Sequence, residues 1–218
     1  MKHCFEADGI ILRYGNRTIL SDIYIKSETG VVTGLVGNNG SGKSSLLKLM
    51  TGAIEPECKS LRVDGVFIKK PLLKKGTVSY LPQHNFLPKQ YTVSQVFKHY
   101  RLSLDEFAAK FDVKVQPKQK IVDLHHSMQR LMEIYTVLAS DTKFAFLDEP
   151  FTRLSPLLGE YPKELINDMR KAKGIVITDH SFNTIKEVAD DLYVLNNSHL
   201  RYFNSIDPNT EYRDLLFP

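Results

Sequence analysis

The chain has almost no cysteine: Cys4 and Cys58 are the only two in 218 residues. Two cysteines without metal-ligand spacing make neither a disulfide framework nor a zinc site, so reduced, incidental thiols are expected. Long apolar runs are missing as well. No stretch approaches the ~18 consecutive apolar residues of a membrane span, and the opening Met1 to Asp8 lacks the apolar run of a secretory signal. An intracellular location is the expectation. Net charge is small, 29 Lys and Arg against 25 Asp and Glu, or +4, spread along the chain, which is a weak pull toward polyanions. The densest basic stretch, Lys69-Lys70 with Lys74-Lys75, lacks the module or interleaved aromatics of a nucleic-acid reader. A solvated loop face is expected there, and nucleic acid is not expected as a partner. Internal repeats, low-complexity tracts and linkers are also lacking, so one domain over residues 1–218 is expected.

What is there is an ordinary soluble composition, 42% hydrophobic and 25% charged, able to bury a sizeable core. Residues 9 to 36 alternate short β-rich runs (Ile10 to Leu12, Ile19-Leu20, Ile23 to Ile25, Val31 to Val36) with the turn residues Gly15-Asn16, Ser21-Asp22 and Gly30. That pattern predicts a small, mostly antiparallel sheet. Leu61 to Phe67 and Thr77 to Leu81 read as strands, and Val93 to Tyr100 and Leu104 to Phe111 as short helices. Between Ser127 and Ala139 the apolar positions cover a wide helical stripe, followed by the buried-type strand Phe144 to Leu147. Pro162 to Lys171 reads as helix, Ile175 to Thr178 as strand and Phe182 to Ala189 as helix; Leu192 to Leu195 and Leu200 to Phe203 form a hairpin across Asn196-Asn197. Strands alternating with helices predict an α/β core with a parallel sheet.

The last of the early β runs leads into Gly37-Asn38-Asn39-Gly40-Ser41-Gly42-Lys43-Ser44-Ser45, and Leu46, Leu47, Leu49 and Met50 continue as a helix closed by Gly52. Gly37, Gly42, Lys43 and Ser44 meet the pattern G-x-x-x-x-G-K-[ST], a chance match on the order of one in a hundred for such a chain. The glycines let successive N–H groups turn inward as a nest for a phosphate at a helix N-terminus. Lys43 would reach the β- and γ-oxygens of a nucleotide, and Ser44 would ligate Mg²⁺. A second acid for the ion belongs at the end of a buried strand, and Asp148 stands there, acting through water. Its neighbour Glu149 would polarise an attacking water as general base. A strand-terminal Asp-Glu-Pro also suits a turn cap.

Four further segments follow in order with the loop: Tyr14 near the start, Ser79-Tyr80-Leu81-Pro82-Gln83, Leu147-Asp148-Glu149-Pro150, and Ile177-Thr178-Asp179-His180. Together they resemble the ATP-binding cassette (ABC) ATPases over essentially the whole chain, from about Phe5 to Asn204. The resemblance implies a P-loop NTPase core with a parallel sheet, an N-terminal antiparallel β subdomain and a short α-helical insert over roughly residues 84–126. It also implies Walker A from Gly37 to Ser45, Walker B ending at Asp148 and Glu149, a Q-loop glutamine at Gln83 that touches Mg²⁺ or its water, a γ-phosphate-sensing switch histidine at His180, and Tyr14 stacked on adenine. Read alone, Tyr14 also suits a core-facing strand position, Gln83 a loop amide and His180 a local cap.

The sequence departs from that family in two places. Where the family opens its long helix with Leu-Ser-Gly-Gly-Gln, counting back from Asp148 gives Leu124-His125-His126-Ser127-Met128, a degenerate signature. The D-loop segment Thr152-Arg153-Leu154-Ser155 ends in serine where the family usually has aspartate. What the resemblance implies is the ATP-binding subunit of a transporter, an ATPase using ATP and Mg²⁺. It would pair with a second cassette and with separate integral membrane subunits, and be held peripherally on the cytoplasmic face of the membrane. A soluble ABC-type ATPase, or a nucleotide switch with weak hydrolysis, is the other function these residues allow.

Overall fold

The computed structural model describes residues 1–155 and 158–204. Two long strands open it, β1 (Cys4–Tyr14) and β2 (Arg17–Glu28), paired antiparallel across the expected Gly15-Asn16 turn. Then come β3 (Val32–Gly37), α1 (Lys43–Thr51), β4 (Cys58–Val63), β5 (Val66–Phe67) and β6 (Val78–Leu81). Helices α2 (Val93–Tyr100) and α3 (Leu104–Phe111) precede the longer α4 (His126–Ala139). The chain goes on through β7 (Phe144–Asp148), α5 (Tyr161–Met169), β8 (Gly174–Thr178), α6 (Phe182–Val188), β9 (Asp191–Asn196) and β10 (His199–Asn204). The expected single domain includes 156, 157 and 205–218, which lie outside the described residues.

One sheet has the order β2-β1-β4-β5 and is antiparallel; the other has the order β10-β9-β3-β8-β7-β6. In the second, β9, β3, β8, β7 and β6 run parallel and β10 closes one edge antiparallel. Its central strands are buried on both faces, which is why Phe144 to Leu147 and Ile175 to Ile177 read as unbroken apolar runs. Period-two alternation divides them between two cores: Ala145, Leu147, Ile175 and Ile177 face one, Phe144, Phe146 and Val176 the other.

The second core lies between the two sheets, with α1 in it. Leu46, Leu47, Leu49 and Met50 of α1 are all fully buried there, each worth about 1.5–3 kcal/mol relative to exposure. The first core lies under α2 to α5, where Phe97, Phe107, Phe111 and Tyr135 pack ring to ring at centroid distances of 5.1–6.0 Å. A capping box starts α2: Gln95 N donates to Thr92 Oγ1 (3.2 Å) and Thr92 N to Gln95 Oε1 (2.8 Å). Among the described residues no helix is long and apolar enough to cross a membrane.

Four of the expectations about β structure need correction. Val31 to Val36 does not belong to the antiparallel sheet; as β3 it is the centre of the parallel one, between β8 and β9. Ser21-Asp22 is not a turn but an irregularity within β2, where Asp22 has φ 52° and the register shifts between Ile10↔Ile23 and Leu12↔Leu20. Leu61 to Phe67 is not one strand: Asp64 and Gly65, at φ 53° and 76°, turn it into the hairpin β4–β5. In the last hairpin the turn residues are Asn197-Ser198, at φ 48° and 67°, one position beyond the expected pair.

Candidate functional site

The glycine loop follows β3 and ends at Gly42, the residue before α1, whose φ of 112° is closed to side-chain-bearing residues. A Cβ at Gly42 would also lie 2.9 Å from Ile19 Cγ2, and one at Gly37 only 2.5 Å from the Leu195 carbonyl oxygen. The loop is thus wedged between β2 and β9. Its lysine bonds back onto it: Lys43 Nζ donates to the carbonyl oxygens of Gly37 (2.7 Å) and Asn38 (3.2 Å). Burial pushes the Lys43 ammonium below its ordinary pKa, against the opposing pull of Glu149, Asp148 and Asp179.

Register delivers the acids. Leu147 pairs with Ile177 and Asp148 with Thr178, so the parallel strands β7 and β8 end side by side next to the loop. Buried Asp148 accepts at Oδ1 from Ser44 Oγ (2.9 Å) and Thr178 Oγ1 (2.9 Å), and at Oδ2 from Tyr80 OH (3.3 Å). Burial, with the neighbouring Asp148 charge, raises the Tyr80 phenol well above its usual range, so it stays a donor. Glu149 turns out of the strand at φ 49°, its N–H donating to the Thr178 carbonyl (3.0 Å). Its Oε2 accepts from Gln83 Nε2 at 2.9 Å.

These groups open on one cleft of about 470 Å³. Tyr14, Lys43, Ser44, Gln83, Glu149 and His180 all line it, with Asn39, Gly40, Gly42 and Ser45 from the loop. Tyr14, the last residue of β1, is 58% exposed. His180, after β8, has Nδ1 3.2 Å from Asp179 Oδ1. Buried Asp148 bonds to Ser44 without lining the cleft; Gly37, Asn38 and Ser41 do not line it either, and Asn38 and Ser41 face a neighbouring groove with Asn196, Asn197 and Ser198. Leu124 to Met128 is not brought to this cleft. His125 instead caps α4, its Nδ1 accepting from Ser127 N (3.3 Å), and both histidines are exposed.

Several residues of the site were given no role of their own in the sequence reading. Arg17 and Thr152 line the cleft, and Thr178 holds both Asp148 and Glu149. The most consequential is Arg130, fully buried on α4. Its guanidinium donates to the carbonyl oxygens of Pro82 (3.0 Å), Asp148 (3.1 Å) and Glu149 (2.9 Å) and pairs with Glu133 at 3.2 Å. A second tie comes from Arg153, whose guanidinium donates to the Gln83 carbonyl (2.7 Å) and the Asn85 side chain. Ser155 N donates to Ser127 Oγ (3.0 Å), joining the segment after β7 to the start of α4. The signal available in the sequence was an Arg and a Glu three residues apart in a helix otherwise apolar on most sides.

A strand, glycine loop and helix beside a parallel sheet, with a strand-end acid on the loop serine, define a P-loop nucleotide-binding fold. The family model described as ABC transporter matches residues 20–152, more than half the chain, and the chain belongs to that family. It is an ATP-binding transporter subunit of the family and an ATPase. Subunits of this kind dimerise and work with membrane subunits. The lipopolysaccharide export system ATP-binding protein LptB of Haemophilus influenzae is 25% identical over 205 residues, covering 87% of this chain and 85% of that protein. The galactose/methyl galactoside import ATP-binding protein MglA of Fusobacterium nucleatum is 26% identical over 214 residues, 89% of this chain but 43% of its own length. A solved structure of an ATP binding subunit of an ABC transporter has the same fold, with a TM-score of 0.82 at 21% identity over 93% of this chain and 90% of that one.

Proposed function

We propose that the cleft binds MgATP with the phosphates in the loop from Gly37 to Ser45 and the base on Tyr14, and that the chain is one domain. Lys43 exchanges its bonds to the loop carbonyls for the β- and γ-phosphates. Asp148 and the hydroxyl of Ser44 are hard oxygen donors already sharing a hydrogen bond, and with the amide oxygen of Gln83 they are the donors Mg²⁺ prefers. The ion would be held by Ser44 and Gln83, with Asp148 through water, and supplies charge neutralisation on the phosphates. Glu149 takes a proton from the attacking water, and His180 donates a hydrogen bond to the γ-phosphate. Two such cassettes, identical or different, enclose the nucleotides between them, each presenting its Leu124 to Met128 edge to the other's γ-phosphate. Separate integral membrane subunits convert closure of the pair into transport, keeping this chain on the cytoplasmic face. The observation that carries the reading is the convergence of Lys43, Ser44, Gln83, Glu149 and His180 on one cleft.

Calorimetric titration tests the binding half. Lys43→Ala should weaken MgATP binding at least about tenfold, the loss of a charge-assisted hydrogen bond; unchanged affinity would remove the phosphate assignment. Glu149→Gln tests the catalytic half. It should keep ATP binding, lower turnover about 10²- to 10⁴-fold and accumulate a nucleotide-bound dimer on size exclusion. Wild-type turnover in that variant places the base elsewhere.

A further inference from the structure

The nucleotide site leaves the basic stretch at residues 69–75 without a role, and the structure gives it an unusual form. Ile68, Pro71 and Thr77 are buried, and Lys70 packs against Gly52 so closely that a Cβ there would meet its Cα at 2.8 Å. The loop is thus pinned to the end of α1 and held by its own bonds, Leu73 N to Lys70 O (3.1 Å) and Thr77 N to Lys74 O (3.1 Å). Between the pins everything points outward. Leu72 and Leu73 are 40% and 77% exposed, and on the adjoining edge strand β5 Val66 and Phe67 are 65% and 63% exposed. Lys69, Lys70, Lys74 and Lys75 are all exposed among them.

The acidic groups near this patch are shared with other partners, Glu55 acting on Lys59 as well as on Lys69 and Lys70. Glu55 is already paired with Lys59 at 2.6 Å and Asp64 with Lys143 at 2.8 Å. From residue 65 to residue 104 the sequence contains no Asp or Glu but has Lys69, Lys70, Lys74, Lys75, Lys89, Lys98 and Arg101. An ordered loop that carries two exposed leucines among four lysines is costly in plain water and, with no aromatic or guanidinium face of its own, unsuited to nucleic-acid bases. It matches the boundary of an anionic bilayer. Aliphatic side chains reach the acyl region there and ammonium groups stay at the headgroups, snorkelling on long stems.

We propose that the surface formed by Leu72, Leu73 and the four lysines from Lys69 to Lys75 binds anionic lipid headgroups directly. This second attachment to the membrane is independent of any membrane subunit. The lysines lie within seven residues, so most act within one Debye length of the surface, and each contributes about a fivefold gain in partitioning. The interaction does not require nucleotide.

The chain contains no tryptophan, so Leu73→Trp reports on this loop alone. With vesicles of mixed phosphatidylglycerol and phosphatidylcholine, the full chain should co-sediment and the Leu73→Trp emission should shift to the blue. Pure phosphatidylcholine should give neither, and added salt should reverse both. Tyr202→Trp, on β10 at the far edge of the six-stranded sheet from β6 against which the loop packs, should not shift. Replacing Lys69, Lys70, Lys74 and Lys75 together by Gln should abolish sedimentation while leaving MgATP affinity intact, which shows the variant folded. Sedimentation unaffected by the four replacements, or an equal shift of the two tryptophans, overturns the proposal. So does a Leu73→Trp shift that needs reconstituted membrane subunits and is absent with bare vesicles, since the patch would then dock protein.

Discussion

At the scale of single residues, the glycine loop was legible because its chemistry leaves almost no choice of residue, whereas Arg130 was hidden by its surroundings. It occupies a buried position of α4, where a periodicity argument expects an apolar side chain, and its partners are backbone carbonyls that carry no sequence signal. Its energetics are those of a buried pair with Glu133. Removing one member strands the other charge, so Arg130→Ala should lower stability by roughly 3–5 kcal/mol, read from urea unfolding. Replacing both, Arg130→Met with Glu133→Leu, should recover much of that stability. Turnover should not recover with it, because the carbonyls of Asp148 and Glu149 lose their donor and the left-handed turn at Glu149 loses its tie. Equal recovery of stability and turnover would reduce Arg130 to a packing residue.

Among the elements, α2 and α3 begin and end where the apolar spacing predicts, and the structure adds the Thr92 and Ser103 caps. The errors concentrate in β structure. Asp64-Gly65 is a strong hairpin signal that the flanking apolar residues masked, and it is the pairing of β4 with β5 across that turn that makes them separate strands. Nothing in the residues of β3 announced that it would leave its sequence neighbours to lie between β8 and β9, a matter of long-range pairing. The β4–β5 hairpin also carries a titration. Burial raises the Asp64 carboxyl, but bonds from Lys143, the Cys4 N–H and His3 outweigh it and hold the group at about 2, below its ordinary 3.8. A depressed carboxylate stabilises the fold fully above its unfolded pKa and loses that contribution as protons bind in the folded state. Stability from Asp64 should therefore be present above pH 3.8 and drain away toward pH 2. Asp64→Asn should be less stable than wild type near neutrality and lose less on acidification across that window, as measured by denaturant midpoints; parallel curves would remove the assignment.

For the whole molecule, the altered signature bears on how fast the proposed cassette pair turns over. The simplest restoration would replace His125, His126 and Ser127 together, but Ser127 Oγ accepts the Ser155 N–H, so a glycine there would loosen the segment after β7. The cleaner change is His125→Ser with His126→Gly, since serine also caps a helix well. A homodimer rate several-fold higher is expected in a phosphate-release assay, and an unchanged or lower rate means that the histidine edge suffices. The Gln83 amide bond to Glu149 bears on a different quantity, the nucleotide spent while no cargo is present. With Glu149 in the role proposed, one oxygen of the carboxylate that must accept water's proton already holds the Gln83 amide, and that bond competes with the water. Arg130 and Arg153 fasten the end of β6 to α4 and to the segment after β7. On the proposed roles, a copy held this way would take up the attacking water less readily and so spend less nucleotide while it waits.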